Sequence, residues 1–308
     1  MSYVSSASWV VPAHITGLFQ IHPHEDPLKM GSRGAGFSID NPVITVAQFT
    51  ESVTEEIQIH YNNQIIDGIV SLNVCKEFSE LTKGKRVLIK HYSKLPMQAG
   101  FGSSGAGAIG TAFSLNELFS ASKTREDLGQ IAHKAEVDCK SGLGDVIAQM
   151  HAGGEIRVQP GAPGIGQIKK LDWPDENKIL SLYMGKMSTK KIITSPEYVK
   201  RINDASGHLL LELEKEPTVE KFVDVSYQFA KETELMNERV ENLVSELRKK
   251  KYNASMIMLG ESIFVVGKFE KLQKCQEYLK VNYPQVKTWM DNLARSGPQT
   301  IKEEENEE

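Results

Sequence analysis

The chain has 308 residues, 40% hydrophobic and 25% charged, enough for about two domains with a real core. A net charge of −4 and three widely spaced cysteines (Cys75, Cys139 and Cys275) argue against a nucleic-acid surface and a disulfide framework, and fit a reducing cytoplasm. MSYVSSASWVVPAH lacks a basic-then-apolar leader, and no run reaches the ~18 apolar residues of a membrane span, so no membrane partner is expected.

Strands are expected at 43–49 (VITVAQF), 56–62 (EIQIHYN, with clear alternation) and 86–93 (RVLIKHYS). The last runs into a glycine loop, followed by a helix in AGAIGTAFSLNELFSA. A second helix is expected over 124–139, with Thr124 as N-cap. GGEIRVQPGAPGIGQI reads as strand and turn. Near Gly166 glycine thins out and Lys and Glu rise. The second half offers a strand at 179–185, two amphipathic helices with Phe222, Val225 and Phe229 on one face, two strands over 256–267 and a helix in KLQKCQEYLKVNY. The tail KEEENEE is acidic and expected to be disordered. The reading is an α+β domain over 1–165, a smaller α+β domain over 166–300 and an acidic tail over 301–308. The second half's apolar helix faces fit core packing and a homodimer surface equally.

PMQAGFGSSGAGAIGTA, Pro96 to Ala112, holds five glycines and two adjacent serines. A glycine loop between a strand and a helix N-terminus presents free backbone N–H groups and the positive end of the helix dipole. It therefore suits phosphates, although a bare turn would use the same composition. No Gly-Lys-Ser/Thr follows, so this is not a Walker A loop, nor is it read as the GxGxxG that opens a dinucleotide fold with an acid about 20 residues on.

Pro96 followed by Gly100-Phe101-Gly102-Ser103-Ser104 resembles the PxxxGLGSSAA motif of the GHMP kinases, with Phe101 for Leu and Gly105 for Ala. The resemblance implies a two-domain fold, the first domain like ribosomal protein S5 domain 2 and the second ferredoxin-like. It also implies that the phosphates of ATP lie on Pro96, Gly100, Gly102, Ser103, Ser104, Gly105, Ala106 and Gly107. Ser104 and Glu136 would hold Mg²⁺, and Asp145 would serve as the base. Alone, Glu136 reads as an exposed helix carboxylate and Asp145 as a turn residue; their weight is joint. The first motif, Pro12 to Gly17, carries His14 where many members have lysine. The third is reduced to Met258-Leu259-Gly260-Glu261-Ser262.

PAHITGLFQIHPHEDPLKMGSRGAG, the glycine loop, SGLGDVIAQMHAGGEIRVQPGAPG and MLGESIF together resemble the archaeal pantoate kinases. That implies conversion of pantoate and ATP to 4-phosphopantoate and ADP, on the route to coenzyme A. A small carboxylate substrate calls for a cation, ideally the planar fork of arginine. Arg157 is expected on the carboxylate, with Ser32 and His133 on substrate oxygens and Arg33 in the loop opposite. His22-Pro23-His24-Glu25-Asp26 has metal-like composition without zinc-site geometry and reads as a polar loop. Homoserine, shikimate or mevalonate derivatives are alternative acceptors, and a non-catalytic ligand sensor is the alternative of a different class.

Overall fold

The structure, a computed structural model, describes residues 5–187 and 189–301; residues 302–308 of the expected acidic tail lie outside the described residues. In the first half the elements are β1 (Ser5–His22), β2 (Gly31–Glu51), β3 (Glu56–Tyr61), β4 (Gln64–Ile66), α1 (Ile69–Lys76), α2 (Ser79–Thr82), β5 (Lys85–Tyr92), α3 (Ser103–Leu118), α4 (Arg125–Cys139), α5 (Asp145–His151), β6 (Gly154–Gln159) and β7 (Gln167–Lys170). The second half runs β8 (Asn177–Gly185), α6 (Thr189–Ile193), α7 (Pro196–Lys215), α8 (Val219–Glu232), α9 (Glu238–Lys249), β9 (Asn253–Ile257), β10 (Glu261–Lys268), α10 (Phe269–Asn282), β11 (Lys287–Asp291) and β12 (Gln299–Thr300).

Two sheets result, giving the mixed α+β architecture. The larger has the order β12-β1-β2-β5-β3-β4, with β6 pairing β2 and β7; the smaller is β11-β8-β10-β9. The β1–β2 hairpin, of which only the 43–49 strand within β2 was expected, is the spine of the molecule. Its register shifts between Val11 and Ala13, where Pro12 has no N–H to give to the ladder. The distal half of β2 pairs β5, while its proximal half pairs β6 through Gly34↔Arg157 and Gly36↔Glu155.

The hairpin is covered on both faces. On one side Val11, Val43, Val87 and Ile89 pack with Ile109, Phe113 and Leu128 of α3 and α4. On the other, Phe37 lies 4.8 Å from Trp173, 5.8 Å from Phe222 and 5.4 Å from Phe264, ring centre to ring centre. The second cluster joins the two halves in one apolar core. The chain then returns: Asn292 and Ala294 hydrogen-bond with Asp40 and Ser38, and β12 adds an edge to β1. Thr124 caps α4 in a reciprocal capping box with Asp127, as its sequence position suggests.

Candidate active site

β5 delivers the chain to the glycine loop and α3 takes it away. Gly100 (φ 85°) and Gly102 (φ 63°) sit in the left-handed region, which a side chain disfavours. Gly102 is the N-cap of α3, and no side chain caps that end. The first-turn N–H groups are thus available to an anion. The helix begins at Ser103, three residues before the expected start, so Gly105 and Ala106 are buried within it. The loop is tied down from behind. The His14 N–H donates to the Phe101 carbonyl at 3.1 Å, and the buried Gln149 amide donates to the Gly102 and Pro12 carbonyls, each at 3.0 Å.

The loop lines a cleft of about 570 Å³ that also exposes Ser32, Asp145, Arg157, Met258 and Leu259. Its charged wall is a continuous chain. His14, fully buried, donates from Nδ1 to Asp145 Oδ1 at 2.9 Å and from Nε2 to Glu155 Oε1 at 3.1 Å. Arg157, 1% exposed, donates to the same Glu155 oxygen. Burial acts to lower the His14 pKa, but the Glu155 charge and the bonds to both carboxylates outweigh it, and the net direction is up. Asp145 is 27% exposed. Burial acts to raise its pKa, yet the His14 hydrogen bond and charge, with Arg157 behind, hold it below the ordinary carboxylate value. Asp145 is therefore an anion at neutral pH. Glycines make the room: a Cβ on Gly36 would meet His14 Nε2 at 2.6 Å, and one on Gly144 would meet Ser32 Oγ at 2.5 Å and Arg157 Nε at 2.8 Å. Ser32 and Arg157 thus meet over the bare backbone of Gly144.

A second carboxylate stands beside Asp145. Glu136, buried on α4, accepts from Ser104 Oγ and from Ser141 Oγ (2.7 Å) through one oxygen, Oε1. Its other oxygen, Oε2, is buried with no hydrogen-bond partner. A Cβ on Gly142 would lie 2.1 Å from that oxygen and 3.4 Å from Asp145 Oδ2, so both carboxylates face the same small space. Burial pushes the Glu136 pKa up to about 7, against the two serine hydrogen bonds and helped by the Asp145 charge. An unpartnered carboxylate oxygen, a second carboxylate and a hydroxyl form a hard-oxygen donor set suited to a divalent cation.

Comparison with known proteins fits this geometry. The family profile "GHMP kinases N terminal domain" matches residues 66–153. The pantoate kinase of Methanocaldococcus jannaschii is 37% identical over 87% of this chain and 96% of its own. That of Thermococcus kodakarensis is 34% identical over 89% and 92%. The chain belongs to the pantoate kinase family. A solved structure described as a phosphotransferase related to the coenzyme A biosynthesis pathway superposes with a TM-score of 0.87 at 30% identity, covering 96% of this chain and 99% of its own.

Of the residues that pantoate kinase resemblance singles out, Gly100, Gly102, Ser103, Ser104, Gly107, Ser32, Asp145 and Arg157 line one cleft. Glu136 stands behind it, bonded to Ser104. Pro96, Gly105, Ala106, His133 and Arg33 are not among the lining residues. His133 is buried against the Met30 carbonyl at 2.9 Å, and burial lowers its pKa. It supports the 27–30 turn from behind rather than facing the cleft lining. Arg33 turns to the far side of β2 and pairs with Glu214 at 2.9 Å, because neighbours on a strand point to opposite faces. Glu155 and Gln149, both fully buried, complete the site and were not expected from sequence. A charged residue in the strand GEIRVQ, alternating with buried Ile156, was the available signal for Glu155. The shortened third motif also finds its place: Met258 and Leu259 close the cleft over the glycine loop, and the Met258 N–H donates to the Thr16 carbonyl at 3.1 Å.

Proposed function

We propose that the protein transfers the γ-phosphoryl group of ATP to the 4-hydroxyl of (R)-pantoate, giving 4-phosphopantoate and ADP. The observation that carries this reading is the meeting, in one cleft, of an anion-cradling helix N-terminus, an ionised Asp145 and a buried Arg157. ATP lays its phosphates along Gly100 to Gly107, whose backbone N–H groups supply donors that need no reorganisation. Arg157 pairs with the pantoate carboxylate, and Ser32, beside it over Gly144, donates to a neighbouring substrate oxygen. This orients the 4-hydroxyl towards Asp145.

Asp145 Oδ1 is held by His14, which leaves Oδ2 as the oxygen that takes the hydroxyl proton. The alkoxide oxygen forms a bond to the γ-phosphorus, the bond from that phosphorus to the β–γ bridging oxygen breaks, and ADP leaves. Ser104 and Glu136 would hold Mg²⁺, consistent with the unpartnered Glu136 oxygen. When bound, the ion supplies charge neutralisation for the phosphates. Phe101, Met258 and Leu259 keep water from the phosphoryl group.

The test is ADP release by the purified protein with Mg²⁺, ATP and (R)-pantoate, with homoserine, shikimate and mevalonate in parallel, and the product examined for phosphate on the 4-hydroxyl. Turnover confined to pantoate supports the reading. Preference for another alcohol, or phosphate on the 2-hydroxyl, overturns it.

A further inference from the structure

Glu155 belongs to neither substrate nor nucleotide, yet it sits at the centre of the site. It lies on β6 opposite Gly36, with its side chain 1% exposed. One of its oxygens accepts from both His14 Nε2 and Arg157 Nη1, while the other has no partner. Through His14 it reaches Asp145, and through Arg157 it reaches the cleft. The chain Arg157–Glu155–His14–Asp145 therefore begins and ends on the cleft and is buried in between. Stability is a poor reason for such an arrangement. A buried ion network loses much of its Coulombic gain to desolvation, and apolar replacements often do as well. Arg157 also has a free donor, since its Nε is buried without a partner. Its guanidinium is thus incompletely used by Glu155, and Arg157 is among the residues that line the cleft.

We propose that Glu155 is a positioning residue that couples recognition of the substrate carboxylate to the base. This rests on the pantoate reading. An anion on Arg157 shares the guanidinium and loosens its hold on Glu155. Glu155 then gives its full charge to His14, which fixes Asp145 for proton removal. A neutral alcohol of the same shape leaves Arg157 clamped on Glu155 and His14 less firmly held. Acids are thereby selected on turnover as well as on binding.

The experiment compares (R)-pantoate with its carboxylate-reduced triol at saturating ATP and saturating acceptor, in the wild-type chain and in Glu155→Gln. Wild-type kcat for the triol is expected about tenfold or more below that for pantoate, a transition-state loss and not a binding loss. Glu155→Gln is expected to lower pantoate kcat about tenfold, leave the KM for ATP within about twofold, and bring the two acceptors within about threefold of each other. A purely structural role would slow both acceptors alike and leave their ratio unchanged; that result overturns the coupling, as does a variant with wild-type kcat. If Glu155→Gln does not fold, as judged by circular dichroism and nucleotide binding, the wild-type comparison decides. Equal kcat for acid and triol overturns the proposal, and a gap confined to kcat supports it. A wild-type chain inert with pantoate but active with another alcohol overturns the functional reading and this inference with it. An active wild type that fails the ratio test overturns this inference alone.

Discussion

Nδ1 of His14 donates to Oδ1 of Asp145 across 2.9 Å, and the donor is a fully buried ring whose other nitrogen is also spent on a carboxylate. Both ring nitrogens must carry protons to satisfy two acceptors, so His14 is a cation, the charge type that lysine supplies at this position in many GHMP kinases. It keeps Asp145 ionised and fixes which oxygen faces the cleft. Asp145→Asn keeps the shape and removes the proton acceptor. We expect kcat to fall by about 10²–10⁴-fold, the usual worth of a general base. Binding of an ATP analogue, read by calorimetry, stays within about threefold of wild type. Near-normal turnover would remove Asp145 from its role.

Glu136 carries a prediction about the metal. With its pKa raised to about 7 in the cation-free protein, it is partly protonated at neutral pH. A divalent cation on its free oxygen must displace that proton. Mg²⁺ binding to the complex with a non-hydrolysable ATP analogue should therefore release protons near pH 7, and the release should shrink by pH 8.5. Calorimetry in two buffers of different ionisation enthalpy measures it. Glu136→Gln should cut the proton release to the share that comes from the terminal phosphate of the nucleotide and weaken Mg²⁺ binding about tenfold or more. Unchanged proton release would place the ion elsewhere.

Fold class, the second-half helices and the central strands were legible because each carries a plain period. Phe222, Val225 and Phe229 repeat at helical spacing and all are buried. Of the β1–β2 hairpin only the 43–49 stretch of β2 was legible, although the hairpin is the longest feature of the sheet. It is buried on both faces, and its inward positions include the polar His14 and Ser32, which interrupt the apolar alternation. The glycine loop and the Asp145 turn stood out through motif, and the structure brings both to one cleft. The opposite destinations of Ser32 and Arg33 follow from strand alternation once β2 is known to reach Gly31. Glu155 and Gln149 were missed because only the tertiary fold brings them to His14 and Gly102.

His91 gives a pH dependence with a definite sign. Burial pushes its pKa down to about 4, and its ring nitrogens are held by the Thr45 and Ser71 hydroxyls at 2.9 and 3.0 Å. The unfolded chain takes up this proton near pH 6.5, the folded chain only near 4. The unfolded state therefore binds more protons between those values, so stability falls as pH drops from about 6.5 to 4. His14 has the opposite sign: its stabilisation is complete below 6.5 and fades above its raised folded pKa. Thermal melts of His91→Gln over this window should show a shallower acid loss than wild type. An unchanged slope would mean that His91 is charged in the fold.

Phe37 tests whether the two halves unfold together. It is fully buried on β2 and touches Trp173, Phe222 and Phe264, from three different segments. Phe37→Ala should cost about 3–5 kcal/mol through lost burial and the cavity left behind. Because the cluster spans both halves, denaturant unfolding should stay one transition at a lower midpoint. Two separated transitions would show that each half holds its own fold.

Gly260 joins the shortened third motif to the phosphate loop. A Cβ there would stand 2.1 Å from the Ala99 carbonyl oxygen and 2.8 Å from the Gly100 nitrogen. Both are backbone atoms of the loop itself, so no side chain can swing aside to admit it. Gly260→Ala must push the loop at Gly100, whose left-handed conformation leaves little freedom to absorb the shift. Overpacking of this kind costs about 1–3 kcal/mol, visible as a lower melting temperature. The sharper consequence is kinetic. A displaced loop mispositions the phosphates, so the KM for ATP should rise about tenfold, with a drop in kcat from poorer alignment. Arg157 and Ser32 lie on β6 and β2, while the atoms nearest a Gly260 Cβ belong to Ala99 and Gly100, so the KM for pantoate should move by less than about threefold. Equal changes in both KM values would show that the third motif shapes the acceptor side as well.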